Sequence, residues 1–545
     1  MQLSRRDLLR LGIATGAASV LPGGWRSSRA SDLASSPATR PFVLELLPGR
    51  GIPPIARPVA PFATRPDPAD CVNVDGTTAF HVHGPRAVPA GTEFFIVHER
   101  PVEHLFSPDL PPSLLWGYDG SIPGPTFIAR SGTPQLVRFV NDLPERDSVG
   151  IGEPITAIHR HGGFQAAEDD GYPLDTFCTG QSRDYFFPNR PDAGLLQNEH
   201  STNWYHDHAI DITAQNVYRG LAGFYPYRNR IDTGNENDPP PALGLPSGDF
   251  DVPVLIQDRR FNRDGFLVYD SFDHNGFLGD KFCVNGLIQP FLRVARRKYR
   301  FRILNGSNAR VYQLSLSNGQ PFVAIASDSH LFEHPVTVKS FVLGPAERLE
   351  VVVDFKDARL GDRIFLVNRL EQTDGRKPGN LVSPGTPLLE LVVDRDAADP
   401  SRVPDTLLPV TEGPRELLPR VRVQRRFKFE RTNGAWAING EFFDENRINA
   451  RPRVGEPEIW VFESGGGWVH PVHVHLAEGF VLSRDGKPPP PLERGRKDTL
   501  LVGASFAREV RILIKFEEFL GRFAFHCHNI EHEDMRMMGQ FEVVP

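Results

Sequence analysis

The amino-acid sequence predicts an all-β protein whose domains are sandwiches or barrels of short strands. Short runs rich in β-branched and aromatic residues recur along the chain, and Gly, Pro, Asn or Asp flank most of them. With 49 Gly and 50 Pro, and without long stretches of helical periodicity, we expect helices to be minor elements. The clearest predicted strands are 135–143, 298–304, 348–355, 458–463 and 509–516.

The length and charge of the chain limit its organisation and its partners. At roughly 150 residues per domain, 545 residues correspond to about three domains. Pro-rich and polar stretches at 232–249 and 396–415 look like linkers, so we expect domains at 31–235, 250–396 and 416–545. The net charge of −7 argues against nucleic acid or an anionic membrane as the main partner.

Residues 1–30 have the pattern of an export signal. Arg5 and Arg6 precede a mild apolar run at 11–21, and residues 28–30 form a small-residue cleavage site. The run is shorter than the about 20 residues that cross a bilayer, and the arginine pair resembles a twin-arginine signal. We therefore expect export by a twin-arginine-type route to the periplasm or the medium, with an ordinary basic helix as the alternative. No later apolar segment is long enough to predict a membrane span.

Histidines recur in pairs that are separated by one residue. The 18 histidines include five such pairs, far more than a random arrangement would give. On a strand, residues i and i+2 point to the same side, so each pair aims two imidazoles into one space. Imidazole binds Cu, Zn, Fe and Ni, and a structural zinc site takes only four ligands. The sequence therefore predicts several metal ions. The pairs are His81/His83, His159/His161, His206/His208, His473/His475 and His526/His528.

The last of these pairs flanks a cysteine. Cys527 stands between its two histidines, and His532 and Met537 follow the cysteine in the same segment. One thiolate, two imidazoles and a weak thioether form the ligand set of a blue-copper electron-transfer site, for which His470 can supply the second imidazole. On a strand, the flanking imidazoles point to the face opposite the thiolate. One strand would then bind one metal through its thiolate and others through its imidazoles, with only a few covalent bonds between them.

These motifs resemble, in their order along the chain, the four copper signatures of the multicopper oxidases. The signatures stand at 159–162, 206–208, 470–475 and 526–537. The flanking text is also similar, and it looks most like the branch of bacterial spore-coat laccases and bilirubin oxidases. The resemblance covers nearly the whole chain after the first 90 residues or so. The similar flanking segments are 115–125, 170–173, 204–209, 488–491 and 496–499.

The resemblance implies three cupredoxin-like Greek-key β-sandwich domains and four copper ions. It places the type 1 copper in the third domain, a three-copper cluster between the first and third domains, and no copper ligand in the second. The implied type 1 ligands are His470, Cys527, His532 and axial Met537. The implied type 2 ligands are His159 and His473, and those of the type 3 pair are His161, His206, His208, His475, His526 and His528.

Three further residues have expected roles near the coppers. Reduction of dioxygen consumes protons in a closed site, so carboxylates are expected to deliver them. Glu533 and Asp170 match acidic residues that serve this role in the similar enzymes, with plain hydrogen bonding to the ligands as the alternative for each. Trp468, two residues before His470, is expected beside the type 1 copper, either as a substrate-docking surface or as packing.

Two other sets of residues are less closely specified. His81 and His83 precede the first copper signature and are expected to be a surface or loop pair, with an additional metal site as the alternative. Cys71, Cys178 and Cys283 lie outside the copper motifs. Export permits one disulfide among these three, and the sequence does not say which pair forms it, if any.

The expected activity is that of a laccase or a bilirubin oxidase-like enzyme. A small-molecule reductant would give up electrons singly at the type 1 copper, and dioxygen would be reduced to water at the cluster. Phenols, aminophenols and bilirubin-like tetrapyrroles are the favoured substrates. The only methionines, at 1, 535, 537 and 538, form no Met-rich insert, which disfavours Cu(I) oxidation. Oxidation of Mn(II) or Cu(I), nitrite reduction and a non-catalytic copper-binding coat protein are the alternatives, and we expect a monomer.

Overall fold

The computed structural model describes residues 35–145, 153–190, 201–410 and 412–545. The predicted export signal at 1–30 lies outside them. Within the described residues strands dominate and the helices are short, which confirms the prediction of an all-β protein. None of the described helices is both long and apolar enough to pass through a bilayer.

The first sandwich consists of two four-stranded sheets. The strands of this region are β1 (Leu47–Pro48), β2 (Gly51–Ile52), β3 (Glu93–His104), β4 (Ser113–Tyr118), β5 (Ala129–Arg130), β6 (Gln135–Asn141), β7 (Ile155–Thr156), β8 (Ile158–His161), β9 (Phe177–Cys178), β10 (Ser182–Phe187), β11 (Thr202–Asp207) and β12 (Ala222–Arg228). Of these, β1 pairs with β2 and β7 with β9, outside the two main sheets. The sheet orders are β10–β6–β3–β4 and β5–β12–β11–β8. The rings of Tyr118, Phe127, Phe139 and Tyr205 pack between the two sheets as its core.

The second sandwich has a seven-stranded and a five-stranded sheet. Its strands are β13 (Asp251–Arg259), β14 (Lys281–Val284), β15 (Leu287–Ile288), β16 (Phe291–Ala295), β17 (Lys298–Asn305), β18 (Tyr312–Leu316), β19 (Phe322–Ser327), β20 (His330–Val338), β21 (Ser340–Leu343), β22 (Arg348–Asp354), β23 (Arg363–Leu370) and β24 (Leu381–Arg395). The sheet orders are β15–β14–β13–β17–β22–β19–β20 and β16–β24–β23–β18–β21. Aliphatic side chains such as Ile303, Leu314 and Val351 form its core.

The third sandwich has a six-stranded and a four-stranded sheet. Its strands are β25 (Val423–Thr432), β26 (Ala435–Ile438), β27 (Pro457–Ser464), β28 (Val469–Val474), β29 (Gly479–Arg484), β30 (Arg496–Lys497), β31 (Thr499–Gly503), β32 (Glu509–Lys515), β33 (Gly521–Cys527) and β34 (Met538–Val543). The sheet orders are β26–β25–β27–β32–β29–β30 and β31–β28–β33–β34. Trp460, Phe462 and Phe525 pack in its core.

Short helices lie between the strands. They are α1 (Thr213–Arg219), α2 (Pro414–Leu417) and α3 (Ile530–Asp534), and α1 packs against α3 across the boundary between the first and third sandwiches. Each of the five strands that the sequence predicted most clearly is present, and its ends agree within two residues.

Candidate metal centre

Two antiparallel strands of the third sandwich present different side chains on their two faces. Across β28 and β33, Val472 pairs with Cys527, and His473 pairs with His526. Because side chains alternate along a strand, Val472 and Cys527 join the core of the third sandwich, whereas the two histidines meet imidazoles of the first. The sequence had suggested that both neighbours of Cys527 lie on one strand. Strand β33 instead ends at Cys527, and His528 lies in the turn to α3.

A thiol and two imidazoles of the third sandwich converge on one point. Sγ of Cys527 lies 3.4 Å from Nδ1 of His470 and 3.5 Å from Nδ1 of His532, and these two nitrogens are 3.3 Å apart. Met537 is buried in the same core cluster as Cys527. Burial raises the pKa of the Cys527 thiol, so a thiolate here needs a cation beside it. The structure thus brings together three of the residues predicted for the type 1 copper and places Met537 in the same core cluster.

Eight imidazoles converge between the first and third sandwiches. In the first, β8 and β11 pair His159 with His206, and His161 with Trp204. The ring of His528 is centred 5.2 Å from that of His161 and 5.3 Å from that of His206. We refer to the eight as the histidine cluster; its members are His159, His161, His206, His208, His473, His475, His526 and His528.

Ring nitrogens within the histidine cluster approach one another closely. Nε2 of His526 lies 3.1 Å from Nε2 of His208 and 3.2 Å from Nε2 of His475. Nε2 of His473 lies 3.5 Å from Nε2 of His159. Both imidazoles that flank Cys527 in the sequence therefore reach the cluster, while the cysteine faces the other way.

Hydrogen bonds fix how several of these rings are oriented. The Nδ1–H groups of His159, His206 and His473 donate to backbone carbonyls at 2.5, 2.7 and 3.0 Å, respectively. The Nδ1–H of His475 donates to the carboxylate of Asp170 at 2.6 Å. With the proton on Nδ1, the lone pair on Nε2 is free to bind a metal.

Other nitrogens of the cluster have no hydrogen-bond partner among the described residues. These buried atoms are Nδ1 of His161 and of His208, Nε2 of His206 and both ring nitrogens of His528. Burial lowers the pKa of all four imidazoles, so each is neutral and carries a lone pair. Buried polar atoms normally find a partner, and neutral imidazole is a good ligand for copper. The side chains present therefore fit bound copper.

Asp170 lies behind the ligands. Its carboxylate accepts hydrogen bonds from His475 and, at 2.7 Å, from Nε2 of Gln165, while its backbone carbonyl accepts one from His159. Burial raises the pKa of Asp170 well above its ordinary value. Arg160, between the first two cluster histidines in the sequence, points away from the ligands and donates to Gln165 at 3.1 Å. Asp170 thus holds two rings of the cluster in place and is itself held through Gln165.

Glu533 follows His532 on α3, but its carboxylate lies against the histidine cluster. Oε2 is 2.9 Å from Nδ1 of His526, and Oε1 is 3.6 Å from Nε2 of His208. Burial acts to raise the pKa of Glu533, but the two imidazoles outweigh burial and hold this pKa well below its ordinary value. A buried, ionised carboxylate therefore contacts ligands that belong to the predicted type 3 pair.

Asp498 is a residue of the site to which the sequence reasoning assigned no role. Its Oδ1 lies 3.2 Å from Nε2 of His161, and its backbone carbonyl accepts the Nδ1–H of His473. Arg348 of the second sandwich donates two hydrogen bonds to its carboxylate, at 2.8 and 2.6 Å. Asp498 lies in the flanking segment 496–499, which resembles the family, but that resemblance did not indicate which residues Asp498 contacts.

The outer edge of His532 lies beneath a loop of the second sandwich and two tryptophans. Its Nε2–H donates to the carbonyl of Asn275 at 3.1 Å, and the ring of Trp436 lies 3.8 Å from its imidazole. Trp468 is half-buried, 5.8 Å from the same imidazole, so it lies where the sequence suggested. The guanidinium of Arg431 lies 4.2 Å from the ring of Trp436 and 5.2 Å from that of Trp468, which the sequence did not suggest.

The histidine pair at 81 and 83 forms a half-buried loop pair with carboxylate partners. Nδ1 of His81 lies 2.8 Å from Asp175, and Nδ1 of His83 lies 3.4 Å from Asp67. Across the described part of the chain, neither histidine belongs to a group of converging metal ligands. The geometry therefore favours the loop pair over an additional metal site.

The structure also resolves the pairing of the cysteines outside the copper motifs. Cys71 and Cys178 form a disulfide across 107 residues of sequence. Cys283 is buried and free. The bond ties the loop that precedes the first sandwich to β9, in the same part of the chain that carries His81 and Asp175.

Comparison with known proteins identifies the class. Family models described as multicopper oxidase match residues 104–230, 260–380 and 417–545. The bilirubin oxidase of Albifimbria verrucaria is 36% identical over 465 residues, which are 82% of this chain and 76% of that protein. The laccase of Bacillus subtilis is 34% identical over 498 residues, 81% of this chain and 92% of that protein. A solved laccase from Pediococcus acidilactici has a TM-score of 0.73 at 26% identity, over 94% of this chain and 95% of its own.

Three sandwiches with a buried cysteine and converging histidines define a copper-binding oxidoreductase that uses dioxygen as its electron acceptor. The chain belongs to the multicopper oxidase family. The solved relatives have three cupredoxin-like domains, which confirms the fold class that the sequence predicted.

Proposed function

We propose that this protein couples one-electron oxidation of phenolic, aminophenolic or bilirubin-like reductants to four-electron reduction of dioxygen to water. The main support is that Cys527 lies with His470 and His532, whereas its sequence neighbours His526 and His528 lie in the histidine cluster. We assign type 1 copper to His470, Cys527, His532 and Met537, and type 2 copper to His159 and His473. We assign the type 3 pair to the remaining cluster members, His161, His206, His208, His475, His526 and His528.

The electrons and protons of the overall reaction balance, and residues of this chain can position the ligands and deliver the protons. Four reductant molecules each lose one electron, and one dioxygen takes up four electrons and four protons to form two waters. When bound, copper supplies the redox chemistry, since it accepts and passes on single electrons. Cys527 links the two ligand groups through a few covalent bonds. Asp170 orients His475, and the ionised carboxylate of Glu533, against His526, accepts protons and passes them on at once.

The surroundings of His532 favour an aromatic reductant that carries negative charge. Trp468 offers a half-buried indole face near this imidazole, and Arg431 and Arg376 lie 5.2 and 5.8 Å from its ring. An indole face stacks on planar rings, and guanidinium groups attract phenolates and carboxylates. Phenols and tetrapyrroles with carboxylate groups match both features.

An oxygen electrode tests the oxidase function with purified, copper-loaded protein. We expect dioxygen uptake with bilirubin, with a phenol and with an o-aminophenol. Cys527→Ser should abolish this uptake together with the blue absorption, while the copper of the histidine cluster stays bound, because the thiolate is the type 1 ligand whose sequence neighbours reach the cluster. Undiminished uptake by Cys527→Ser would contradict electron transfer through this residue. No uptake by the wild-type protein with any reductant would contradict the oxidase itself.

The substrate class is tested at Trp468. Loss of an aromatic contact of about 0.5–1.5 kcal/mol predicts a KM for bilirubin that is about 2- to 12-fold higher in Trp468→Ala. Phe266→Ala, at an exposed ring of the second sandwich, is the matched control and should leave KM unchanged. Asp273 also belongs to the loop over His532, so Mn(II) is assayed in parallel. A higher kcat/KM for Mn(II) than for bilirubin would favour the metal-ion alternative.

We also propose that residues 1–30 direct export by a twin-arginine-type route and that the mature protein is a monomer. The arginine pair supports export, and the disulfide between Cys71 and Cys178 suits an oxidising compartment. Replacing both Arg5 and Arg6 by Lys should leave uncleaved protein in the cytoplasm. Unchanged export of that variant would contradict the route, and a sedimentation mass of two chains would contradict the monomer.

A further inference from the structure

A pocket opens at the surface between the second and third sandwiches. Its volume is about 320 Å³, and its lining includes His330, His334, Phe480 and Arg496. His334 is exposed, whereas His330 and Arg496 are each at least nine-tenths buried, so the pocket runs from solvent into the interior. It contains no residue that the proposed mechanism uses so far.

A second, narrow cavity lies beside ligands of the histidine cluster. Its volume is about 20 Å³, which is enough for a water molecule. Gly162 and Val474, the sequence neighbours of His161 and His473, line it, and so do Glu478 and Asp498. Water in this cavity would therefore lie between the carboxyl groups of Glu478 and Asp498. The carboxylate of Asp498 already lies near both His161 and His473.

Glu478 joins the surface pocket to the narrow cavity. Its Oε2 lies 3.5 Å from Nδ1 of His330, which lines the pocket, and its side chain is 11% exposed. Its Oε1 accepts the backbone N–H of Ser329 at 3.0 Å. The hydroxyl of Ser329 lies 3.4 Å from Oδ2 of Asp498, to which it donates. Glu478 is thus held in place within reach of both spaces, and none of its contacts among the described residues is to an assigned copper ligand.

We propose that Glu478 is a proton-transfer residue that carries protons from the surface pocket to the narrow cavity during reduction of dioxygen. The inference rests on the proposed function, which consumes four protons for each dioxygen. In each transfer the Glu478 O–H bond breaks, a cavity water gains the proton, and the carboxylate is protonated again from solvent through the pocket at His330. No electrons move in this step. The path approaches the cluster from the side of Asp498, whereas Glu533 contacts His526 and His208.

The charges around Glu478 suit this role. Burial and the nearby carboxylate of Asp498 raise the pKa of Glu478, and Arg496 opposes them. Asp328 and Arg348 of the second sandwich also face it, with effects of opposite sign, and His330 is its neighbour in the pocket. A carboxyl whose pKa is raised keeps its proton until the pH exceeds that pKa, so it can donate near neutral pH and loses this capacity as the pH rises.

Glu478→Gln tests the proposal in the copper-loaded protein. The amide keeps the shape and can still accept from Ser329, but it cannot release a proton. We expect reoxidation of the fully reduced protein by dioxygen to slow by about tenfold, which is less than the 10²–10⁴-fold effect of a sole acid–base group because the path at Glu533 stays open. The alkaline decline of the wild-type rate should be absent. Reduction of the blue copper without dioxygen should be unchanged.

Infrared spectroscopy supplies a readout that does not depend on turnover. The wild-type protein should show a protonated-carboxyl band that is missing in Glu478→Gln and that titrates with the alkaline decline of the rate. Glu478→Asp should restore part of the rate and the pH dependence, and Glu456→Gln, at an exposed glutamate before β27, should match the wild type. A wild-type pH profile in Glu478→Gln, or a loss that Glu478→Asp does not reduce, overturns the inference. Absence of dioxygen uptake by the wild type would instead overturn the proposed function.

Discussion

Replacing Glu533 by Gln isolates the proton-delivery role of the carboxylate on α3. The substitution keeps the size of the side chain but removes its charge and its ability to pass on a proton. Glu533 is 2% exposed and lies 2.9 Å from the imidazole of His526, so bulk water is not positioned to replace it. A positioned acid–base group contributes about 10²–10⁴-fold to a rate, which corresponds to about 2.7–5.4 kcal/mol of barrier. We expect Glu533→Gln to slow reoxidation by dioxygen by a factor in this range.

A stopped-flow assay separates the two half-reactions. Reduction of the blue copper under argon should proceed at the wild-type rate, because Glu533 has no contact with Cys527 or His470 among those that the structure describes. The slow step should appear only when the reduced protein is mixed with dioxygen. Glu531→Gln is the matched control on the same helix, since its carboxylate accepts hydrogen bonds from Tyr269 and lies away from the cluster ligands. It should reoxidise at the wild-type rate.

The result that would refute this reasoning is specific. Copper content must first be equal in the variant and the wild type, because a lost ligand contact would also slow reoxidation. If Glu533→Gln binds its full copper and still reoxidises at the wild-type rate, Glu533 does not deliver protons. Its pKa is held well below the ordinary value, so Glu533 should also contribute no titration step near neutral pH, in contrast with Glu478.

Three further outcomes follow from the contacts. Met537→Leu should raise the reduction potential of the blue copper, because the axial thioether donates density to it; an equal or lower potential in a redox titration would contradict its role as a ligand. Replacing Cys71 and Cys178 by Ser opens a 107-residue loop and should cost about 4.7 kcal/mol of unfolding free energy in urea, and a stability equal to that of the wild type would contradict the entropic argument. Arg348→Gln leaves the buried carboxylate of Asp498 without its charged partner and should lower the unfolding free energy, measured in urea, by about 3–5 kcal/mol. A change within error of zero would show that the ion pair is dispensable for stability.

The convergence of the paired histidines was predictable because the geometry of each pair is local, whereas the full set of proposed ligands came from the resemblance to the family. A His-x-His pair shares one face of a strand wherever that strand lies, and the alternation at 526–528 separates Cys527 from its neighbours without any knowledge of the sheet. The pairing of Val472 with Cys527 then places His473 opposite His526. A single strand register between two distant segments is therefore enough to bring these histidines together. His528 left the strand because the chain turns there into α3, a change that strand alternation cannot anticipate.

The residues that the sequence did not predict act across domain boundaries. Arg348 reaches Asp498 over 150 residues of sequence, and His532 reaches Asn275 over 257. The alternation of side chains along a strand does not predict such contacts, because they depend on how the second sandwich packs on the third. The second sandwich supplies no assigned copper ligand, yet it supplies Arg348 and His330 on the proton side and Asn275 at the edge where a reductant would dock. Changes on its surface should therefore alter the pH dependence and the substrate preference while the copper content stays the same.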